Sequence, residues 1–140
     1  MNIKIKKLNP EAVIPKYAHV GDAGMDLFSI EDKVLKPMER YAVGTGISME
    51  YPEGFCTLIW DKSGLAINHG IKTMGGVIEP NYRGEYKVIM INLSDKDFEI
   101  KKGQKIAQVL IQPIVCGEIE EVDELSDTNR GHGGFGSTGK

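Results

Sequence analysis

Residues 105–115 read KIAQVLIQPIV and form the longest of four apolar runs that are typical of β-strands in this sequence. Gly103 comes two residues before the run, so the pattern predicts a strand that begins after a turn. Within the run, Gln108 interrupts an apolar face. Because a buried amide must be hydrogen-bonded, we expect Gln108 either to tie down backbone or to touch a ligand.

Three further runs of the same type lie between glycines and prolines, and together with the first they predict an all-β fold. These runs are YAVGTGISM (41–49), FCTLIW (55–60) and YKVIMINL (86–93). In the last run both alternating sets of side chains are mostly apolar, which predicts a strand that is covered on both faces. The spacing of the runs is typical of a sandwich or barrel.

One short helix is predicted over residues 63–70, SGLAINHG, with Ser63 as its N-cap and Gly70 as its terminator. Lys62 precedes this helix, and Gly64 allows close approach of the backbone. Helix N-termini favour anions, and a lysine beside a hydroxyl reinforces that preference. The stretch is therefore a candidate anion site, with an ordinary serine cap beside a surface lysine as the alternative.

The composition indicates one soluble globular domain, since 41% of the 140 residues are hydrophobic and 26% are charged. The net charge of −3 argues against nucleic acid as a partner. No window approaches the ~18 apolar residues of a membrane span.

The first ten residues, MNIKIKKLNP, are typical of a strand and not of a signal peptide, which predicts a cytoplasmic protein. Cys56 and Cys116 are expected to be two buried thiols, and the scattered histidines argue against zinc.

Two stretches combine turn residues with acids. In GDAGMDLFS (21–29) a turn leads into a strand and leaves Asp26 near its start, where the alternative is an aspartate bonded to its own backbone. In GGVIEPNYRGE (75–85) we predict a hairpin whose tip carries Glu79 and Tyr82. An acid and a tyrosine that face one cavity would hold a ring or sugar and position a water, and a solvated hairpin loop is the alternative.

The last twelve residues read NRGHGGFGSTGK and contain most of a phosphate-binding P-loop. A P-loop also needs a helix after its lysine, and no residues follow the lysine to build one. The preceding segment, 117–127, is acidic and loses its strand pattern after Val122, so it is expected to be a strand end followed by an arm. We therefore predict an all-β domain of residues 1–125 and a flexible C-terminal arm of residues 126–140.

Five stretches in order resemble the five motifs of the trimeric dUTP pyrophosphatases (dUTPases), and the resemblance runs from about Ala23 to Gly139. The five are AGMDL (23–27), SGLA (63–66), GVIxxxYRGE (76–85), GQKIAQ (103–108) and RGxGGFGSTG (130–139). This resemblance implies a jelly-roll-like β-barrel that forms a homotrimer with active sites shared between subunits. The arm of one subunit would close over a nucleotide that is already bound.

The resemblance also implies the reaction, in which a water attacks the α-phosphorus of dUTP to give dUMP and pyrophosphate. Glu79 falls on the water-activating carboxylate of the family, and Asp26 falls on a carboxylate that orients neighbours of that water. Mg²⁺ is implied as a cofactor held mainly by phosphates and waters. The implied substrate contacts are Met74, Gly76 and Val77 for the uracil edge, Tyr82 for the deoxyribose, Lys62, Ser63, Gly64 and Gln108 for the triphosphate, Phe135 stacked on uracil, and Arg130, Gly136, Ser137 and Thr138 in the arm.

Two positions depart from the family pattern. Glu79 stands where aspartate is usual, and the extra methylene moves the carboxylate by about 1.5 Å if nothing else adjusts. Lys62 stands where arginine after proline is usual, and Asp61 before it is expected to pair with it and weaken its attraction for phosphate. The alternatives are a dUTP-binding relative with low catalytic activity, a dCTP deaminase of the same fold and a non-enzymatic, capsid-like jelly-roll module.

Overall fold

The computed structural model describes residues 1–134, which form eleven strands and one helix and confirm the predicted all-β class. Phe135, Gly136, Ser137 and Thr138, which we expect to contact substrate, lie outside the described residues. The strands are β1 Lys4–Lys7, β2 Gly24–Phe28, β3 Lys33–Leu35, β4 Arg40–Gly44, β5 Ile47–Glu50, β6 Phe55–Trp60, β7 Ile71–Met74, β8 Val77–Ile78, β9 Lys87–Asn92, β10 Phe98–Ile100 and β11 Lys105–Pro113, and the helix is α1 Ser63–His69.

The strands form four sheets in which every pairing is antiparallel. The largest has the order β2-β11-β6-β8, and the next has the order β4-β9-β7. Two strand pairs, β1 with β5 and β10 with β3, complete the arrangement. Buried side chains from all four sheets belong to one hydrophobic cluster, so the sheets enclose a single core.

Strand β11 lies between β2 and β6 and is the predicted strand of residues 105–115, shortened by two residues. Gln108 pairs with Asp26 on one side and with Trp60 on the other. Because directly opposed residues in a sheet point to the same face, these three side chains form one row. The pairing with β2 shifts by one residue between Lys105 and Ala107.

Strand β9 confirms the predicted β-structure of residues 86–93, but the prediction that both faces are covered is wrong for this chain. Its residues alternate between buried and accessible, and Ile89 is 39% exposed. Ile89 pairs with Ala42 on β4 and with Met74 on β7, and all three side chains are exposed. The sheet β4-β9-β7 therefore presents an apolar row on the face that points away from the core.

Three local predictions are also corrected. The predicted run 41–49 is divided into β4 and β5, because Gly46 adopts a φ of +68° and the Thr45 hydroxyl donates to the Tyr86 carbonyl. Ser63 is not the N-cap of α1: that position belongs to Lys62, and it makes no side-chain cap hydrogen bond. Cys56 is buried as expected, whereas Cys116 is exposed.

The end of α1 follows the prediction, whereas the C-terminal segment departs from it. Gly70 has a left-handed conformation with φ +64°, and its N–H bonds to the carbonyl groups of the last helical turn, as predicted for a helix terminator. The strand end expected after Gly117 is absent, because the last strand ends at Pro113 and residues 115–132 are exposed. No helix in residues 1–134 is long and apolar enough to cross a membrane.

One buried polar side chain holds the segment between β9 and β10. The Asn92 amide, which is fully buried, donates to the carbonyl oxygens of Leu35 at 2.9 Å and Lys96 at 2.7 Å. Its oxygen accepts from the backbone N–H of Ser94 at 2.9 Å and from the Ser94 hydroxyl at 2.7 Å. Four hydrogen bonds therefore depend on one side chain.

We expect Asn92→Ala to lower the free energy of unfolding by about 2–4 kcal/mol, because it leaves several buried donors and acceptors without partners. Chemical denaturation measures this loss. The matched control is Asn81→Ala in an exposed turn, for which we expect a change of less than about 0.5 kcal/mol. Equal stability of the two variants would show that the Asn92 network contributes nothing.

Candidate active site

Asp26 is a nearly buried carboxylate with one lysine on each oxygen. It lies in β2 with its side chain 6% exposed. Lys62 Nζ donates to Oδ1 at 2.5 Å, and Lys105 Nζ lies 2.6 Å from Oδ2. Among the described residues, this ion pair is the contact that compensates Oδ2. Burial raises the pKa of Asp26, but Lys105 and Lys62 together lower it below its ordinary value, which keeps the carboxylate ionised at neutral pH.

Asp61, at the end of β6, pairs with β7 and not with its neighbour Lys62, so the expected Asp61–Lys62 pair is wrong. One Asp61 oxygen accepts from the Thr73 N–H at 2.5 Å and from the Thr73 hydroxyl at 2.7 Å. The other accepts from Lys72 Nζ at 2.6 Å. Burial raises the pKa of Asp61, and the Lys72 and Thr73 donors lower it to a net value below the ordinary one. Lys62 instead turns to Asp26.

Gln108 ties down backbone in the structure, which is one of the two roles that the sequence left open. Gln108 Nε2 donates to the Asp61 carbonyl at 2.8 Å. Its Oε1 faces Gly24 so closely that a Cβ on residue 24 would lie 2.6 Å away. Asp26, Lys62, Lys105 and Gln108 thus form one group, named here the Asp26 cluster.

Ser63 and Gly64 continue from the Asp26 cluster as the exposed first residues of α1. A Cβ on Gly64 would meet nothing within 4 Å, so within the described residues this position is open to an approaching molecule. The three motif stretches that contain Asp26, Lys62 and Gln108 therefore meet in space, as their resemblance implies.

Residues 74–77 form a bend between two sheets, and the hairpin predicted over residues 75–85 is wrong because β8 and β9 do not pair with each other. Strand β7 pairs with β9, whereas β8 pairs with β6. The change of sheet occurs at Gly75 and Gly76, whose φ angles are +65° and +100°. The Ile59 N–H donates to the Gly76 carbonyl at 2.8 Å, and a Cβ on residue 76 would lie 2.7 Å from the Ile59 carbonyl oxygen. Only glycine fits this close approach of backbone to backbone.

The bend is one wall of a cavity of about 700 Å³, which is of the size that holds a small-molecule ligand. The apolar row of the sheet β4-β9-β7 continues the wall. Its lining residues include Ile59, Met74, Gly76, Val77, Tyr82 and Ile89. Met74, Gly76, Val77 and Tyr82 were predicted from the sequence to touch substrate, and the structure brings all four to this cavity.

Tyr82 is held in place by the YRGE segment. Its side chain is 44% exposed, and its hydroxyl donates to the Glu85 carbonyl at 3.1 Å. Gly84 lies so close to the phenol ring that a Cβ there would overlap it. The Glu85 carboxylate accepts from the Gly46 N–H at 2.9 Å and thereby ties the segment to the barrel. The position of the ring is thus fixed before any ligand arrives.

Glu79 lies at the rim of the same cavity. It begins a turn in which the Tyr82 N–H donates to the Glu79 carbonyl at 3.1 Å. Within residues 1–134 its exposed carboxylate makes no hydrogen bond or ion pair with another side chain. A carboxylate in this position is available to accept a proton from a water.

The cavity and the Asp26 cluster are separate features of one chain. Lys62, Ser63 and Gln108 do not line the Tyr82 cavity. Arg130 is exposed and joins neither feature, because its Nε donates to the nearby Gly133 carbonyl at 3.0 Å. Within residues 1–134, the predicted base contacts and the predicted phosphate contacts therefore do not share one cavity.

Sequence reasoning missed two residues of the candidate site. Lys105 was part of a quoted motif, but no signal in the sequence showed that it would reach Asp26. Ile89 belonged to a strand in which both sets of side chains were apolar, and such a pattern does not reveal which set faces the core. Within the described residues no three carboxylate, imidazole or thiol side chains come together as a metal site.

Comparison with known proteins agrees with this geometry. The dUTPase family model matches residues 10–139. The deoxyuridine 5'-triphosphate nucleotidohydrolase of Nautilia profundicola is 55% identical over 100% of both chains. The dUTPase of Staphylococcus bacteriophage 80alpha, solved with dUPNHPP, superposes with a TM-score of 0.94 and 29% identity over 99% of both chains.

A further solved structure is a mutant dUTPase of phage phi11 of S. aureus, which describes the coordination of a structural Mg(II) ion. It is 25% identical with a TM-score of 0.85 and covers 91% of this chain and 100% of its own. The matches extend along the whole chain and include the stretches that build the Asp26 cluster and the Tyr82 cavity. The chain belongs to the dUTPase family and has its jelly-roll-like β-barrel fold.

Proposed function

We propose that this chain hydrolyses dUTP to dUMP and pyrophosphate. The observation that carries the proposal is the preformed cavity in which a glycine bend, a fixed tyrosine and a free carboxylate converge. Membership of the dUTPase family supports the same reaction, since the curated relative from Nautilia profundicola carries the name of this activity.

The base would be read by the peptide groups of residues 74–77. Uracil and cytosine present opposite donors and acceptors on the edge that distinguishes them. A backbone held by the Gly76–Ile59 hydrogen bond cannot rearrange to satisfy both. Buried polar groups left unpaired reject the wrong ligand strongly, so a rigid bend favours one base. Packing close to the ring would also exclude the methyl group of thymine.

Tyr82 would pack against the deoxyribose and leave no room for a 2′-hydroxyl group. Support comes from the fixed orientation of its ring, which Gly84 and the Glu85 carbonyl hold from two sides. A side chain that cannot move aside discriminates by shape. The ribonucleotide is therefore expected to bind more weakly than the deoxyribonucleotide.

The triphosphate would be bound by Lys62, Ser63, Gly64 and Gln108. The Asp26 cluster carries two lysines and one carboxylate, which gives this surface a net positive charge of one. Gly64 leaves its backbone open to an approaching phosphate. Asp26 would orient Lys62 through their ion pair, so its contribution would be positioning, not proton transfer.

Glu79 would act as the general base. A water attacks the α-phosphorus, its proton passes to the Glu79 carboxylate, and the bond from the α-phosphorus to the bridging oxygen breaks as pyrophosphate leaves. Most of the rate enhancement would come from positioning and from stabilisation of charge on the phosphates. The free carboxylate at the cavity rim supports this assignment.

Mg²⁺ fits this surface as a cation carried by the substrate. An ion of this kind keeps most of its waters and would be held mainly by phosphate oxygens. Both Asp26 oxygens already contact lysines, so within the Asp26 cluster Gln108 provides the side-chain oxygen that would accept from a water of such an ion. When bound, the ion neutralises charge that develops on the phosphates.

The active site would be shared between subunits of a homotrimer. The Tyr82 cavity and the Asp26 cluster are separate in one chain, so a second copy would supply the phosphate contacts. The arm, residues 126–140, would leave the barrel domain of residues 1–125 and close a site with Arg130, Phe135, Gly136, Ser137 and Thr138. The exposure of Val115, Ile119 and Leu125 supports a segment that runs along another subunit.

Pyrophosphate release from dUTP, UTP, dCTP and dTTP in parallel, each with Mg²⁺, tests the proposed function. We expect hydrolysis of dUTP at least about 100-fold faster than that of the other three, because a mismatch of buried polar groups is strongly rejected. Ammonia release from dCTP would identify a deaminase of the same fold. Binding of dUTP without turnover would identify a nucleotide-binding relative.

Glu79→Gln is expected to lower kcat by about 10²–10⁴-fold, which is the usual contribution of a general base, while dUTP affinity changes by less than about threefold. The matched control is Glu53→Gln, an exposed acid in a nearby turn, for which we expect the wild-type rate. A Gln variant with more than half of the wild-type kcat would remove Glu79 from the mechanism. Glu79→Asp distinguishes a tuned site, in which kcat falls, from a poorly active one, in which kcat rises.

A chain that ends after Asn129 is expected to keep its fold and melting temperature, because residues 115–132 are exposed and pack little against the barrel. We expect kcat/KM for dUTP to fall by about 100-fold or more, since loss of a closing segment misplaces the reacting groups. A chain that lacks only Lys140 is the control. Full activity of the shorter chain would exclude the arm from catalysis.

A further inference from the structure

Lys105 is the member of the Asp26 cluster to which the proposed function assigns no individual contact. It is the first residue of β11, and its side chain is 45% exposed, whereas the Asp26 side chain that it contacts is 6% exposed. A lysine that contacts a buried carboxylate from the solvent side changes how strongly that carboxylate attracts its other partners. The second such group is Lys62, on the opposite oxygen.

The position of Lys105 depends on an irregularity in the sheet. Gln108 pairs with Asp26 and Ala107 with Leu27, but Lys105 pairs with Phe28 because the register shifts by one residue. In a regular ladder Lys105 would pair with residue 29 and point to the face opposite Asp26. The shift places it opposite Phe28, two residues from Asp26 and therefore on the face of Asp26.

The charges of the three groups show what this contact does. Asp26 with Lys62 alone is a neutral pair, and a phosphate that approached it would meet no net charge. With Lys105 added, the group has a net charge of +1. Lysine has three N–H donors, and the Asp26 hydrogen bond uses one of the three on Lys62, so two remain for a phosphate.

Because Asp26 is nearly buried, the charge of Lys105 matters more than it would at the surface. If Lys62 were the only partner of a nearly buried carboxylate, any movement of Lys62 toward phosphate would leave that carboxylate uncompensated, which is costly. Lys105 compensates Asp26 through the other oxygen. Lys62 can then bind a phosphate while Asp26 stays paired with Lys105, so that no buried charge is left unpaired.

We propose that Lys105 is a positioning residue that neutralises Asp26 and so makes Lys62 available to the β- and γ-phosphates of the substrate. This inference rests on the proposed function, in which Lys62 binds the triphosphate. It assigns Lys105 no contact with the reacting atoms, because its effect passes through Asp26.

The experiment compares the affinities of the wild type and Lys105→Gln for dUPNHPP and dUMP, together with KM and kcat for dUTP. We expect the Kd for dUPNHPP and the KM for dUTP to rise by about tenfold, which is a typical effect of one lost charge compensation at a partly buried site. The Kd for dUMP, which lacks the β- and γ-phosphates, should change by less than about twofold. Lys105→Arg should restore the wild-type values because it keeps the charge.

Two controls separate this role from general electrostatics and from stability. Lys101→Gln removes the same charge from an exposed lysine that pairs with Glu99 at 3.0 Å, and we expect no change in either Kd. In an Asp26→Asn background, Lys105→Gln should change the Kd for dUPNHPP by less than about threefold, because no carboxylate remains to be neutralised. Melting temperatures of all variants are measured in parallel.

Several results would overturn the inference. They are an unchanged Kd for dUPNHPP in Lys105→Gln, equal losses for dUPNHPP and dUMP, or an undiminished loss in the Asp26→Asn background. A lower melting temperature with equal losses for both nucleotides is the result expected of a merely structural lysine. A wild-type protein that does not hydrolyse dUTP would instead overturn the proposed function, so the two failures are distinguishable.

Discussion

The pairing of β11 with both β2 and β6 is the constraint on which the candidate phosphate surface depends. It places Asp26, Gln108 and Trp60 in one row across three strands that are far apart in the sequence. Asp61 and Lys62 follow directly after that row, so the chain leaves the sheet where the lysine can turn back to Asp26. The buried alternate residues of β11, Ala107 and Val109, fix the strand in the core and with it the row.

A second constraint acts at the other feature of the site. Two consecutive glycines with positive φ carry the chain from the sheet β4-β9-β7 to the sheet β2-β11-β6-β8. The peptide groups of the bend thereby lie beside the apolar row of the sheet β4-β9-β7, and Tyr82 lines the same cavity. Most of the cavity is built by groups that hydrogen bonds or steric contacts already hold, so a ligand would not have to order them.

The sequence predicts those parts of the structure that local chemistry decides. Strand runs, the short helix and its Gly70 terminator follow from residue type and spacing, and the quoted motifs identify most of the candidate site. It does not predict which sheet a strand joins, because that choice depends on distant partners. For this reason a hairpin was predicted over residues 75–85, although β8 and β9 join different sheets. The contact of Lys105 with Asp26 requires a one-residue shift in register that no local pattern encodes. The Asp61 network likewise depends on Thr73, twelve residues away.

The bonds of Asp61 have a consequence for the assembly as a whole. They fasten the end of β6, next to Lys62, to Thr73 in β7, one residue before the bend that lines the cavity. In a trimer whose sites combine the bend of one subunit with the lysine of another, the bend and Lys62 of one chain would contact different substrate molecules. A single carboxylate would then hold a phosphate-binding residue of one catalytic centre at a fixed distance from the base-binding bend of another.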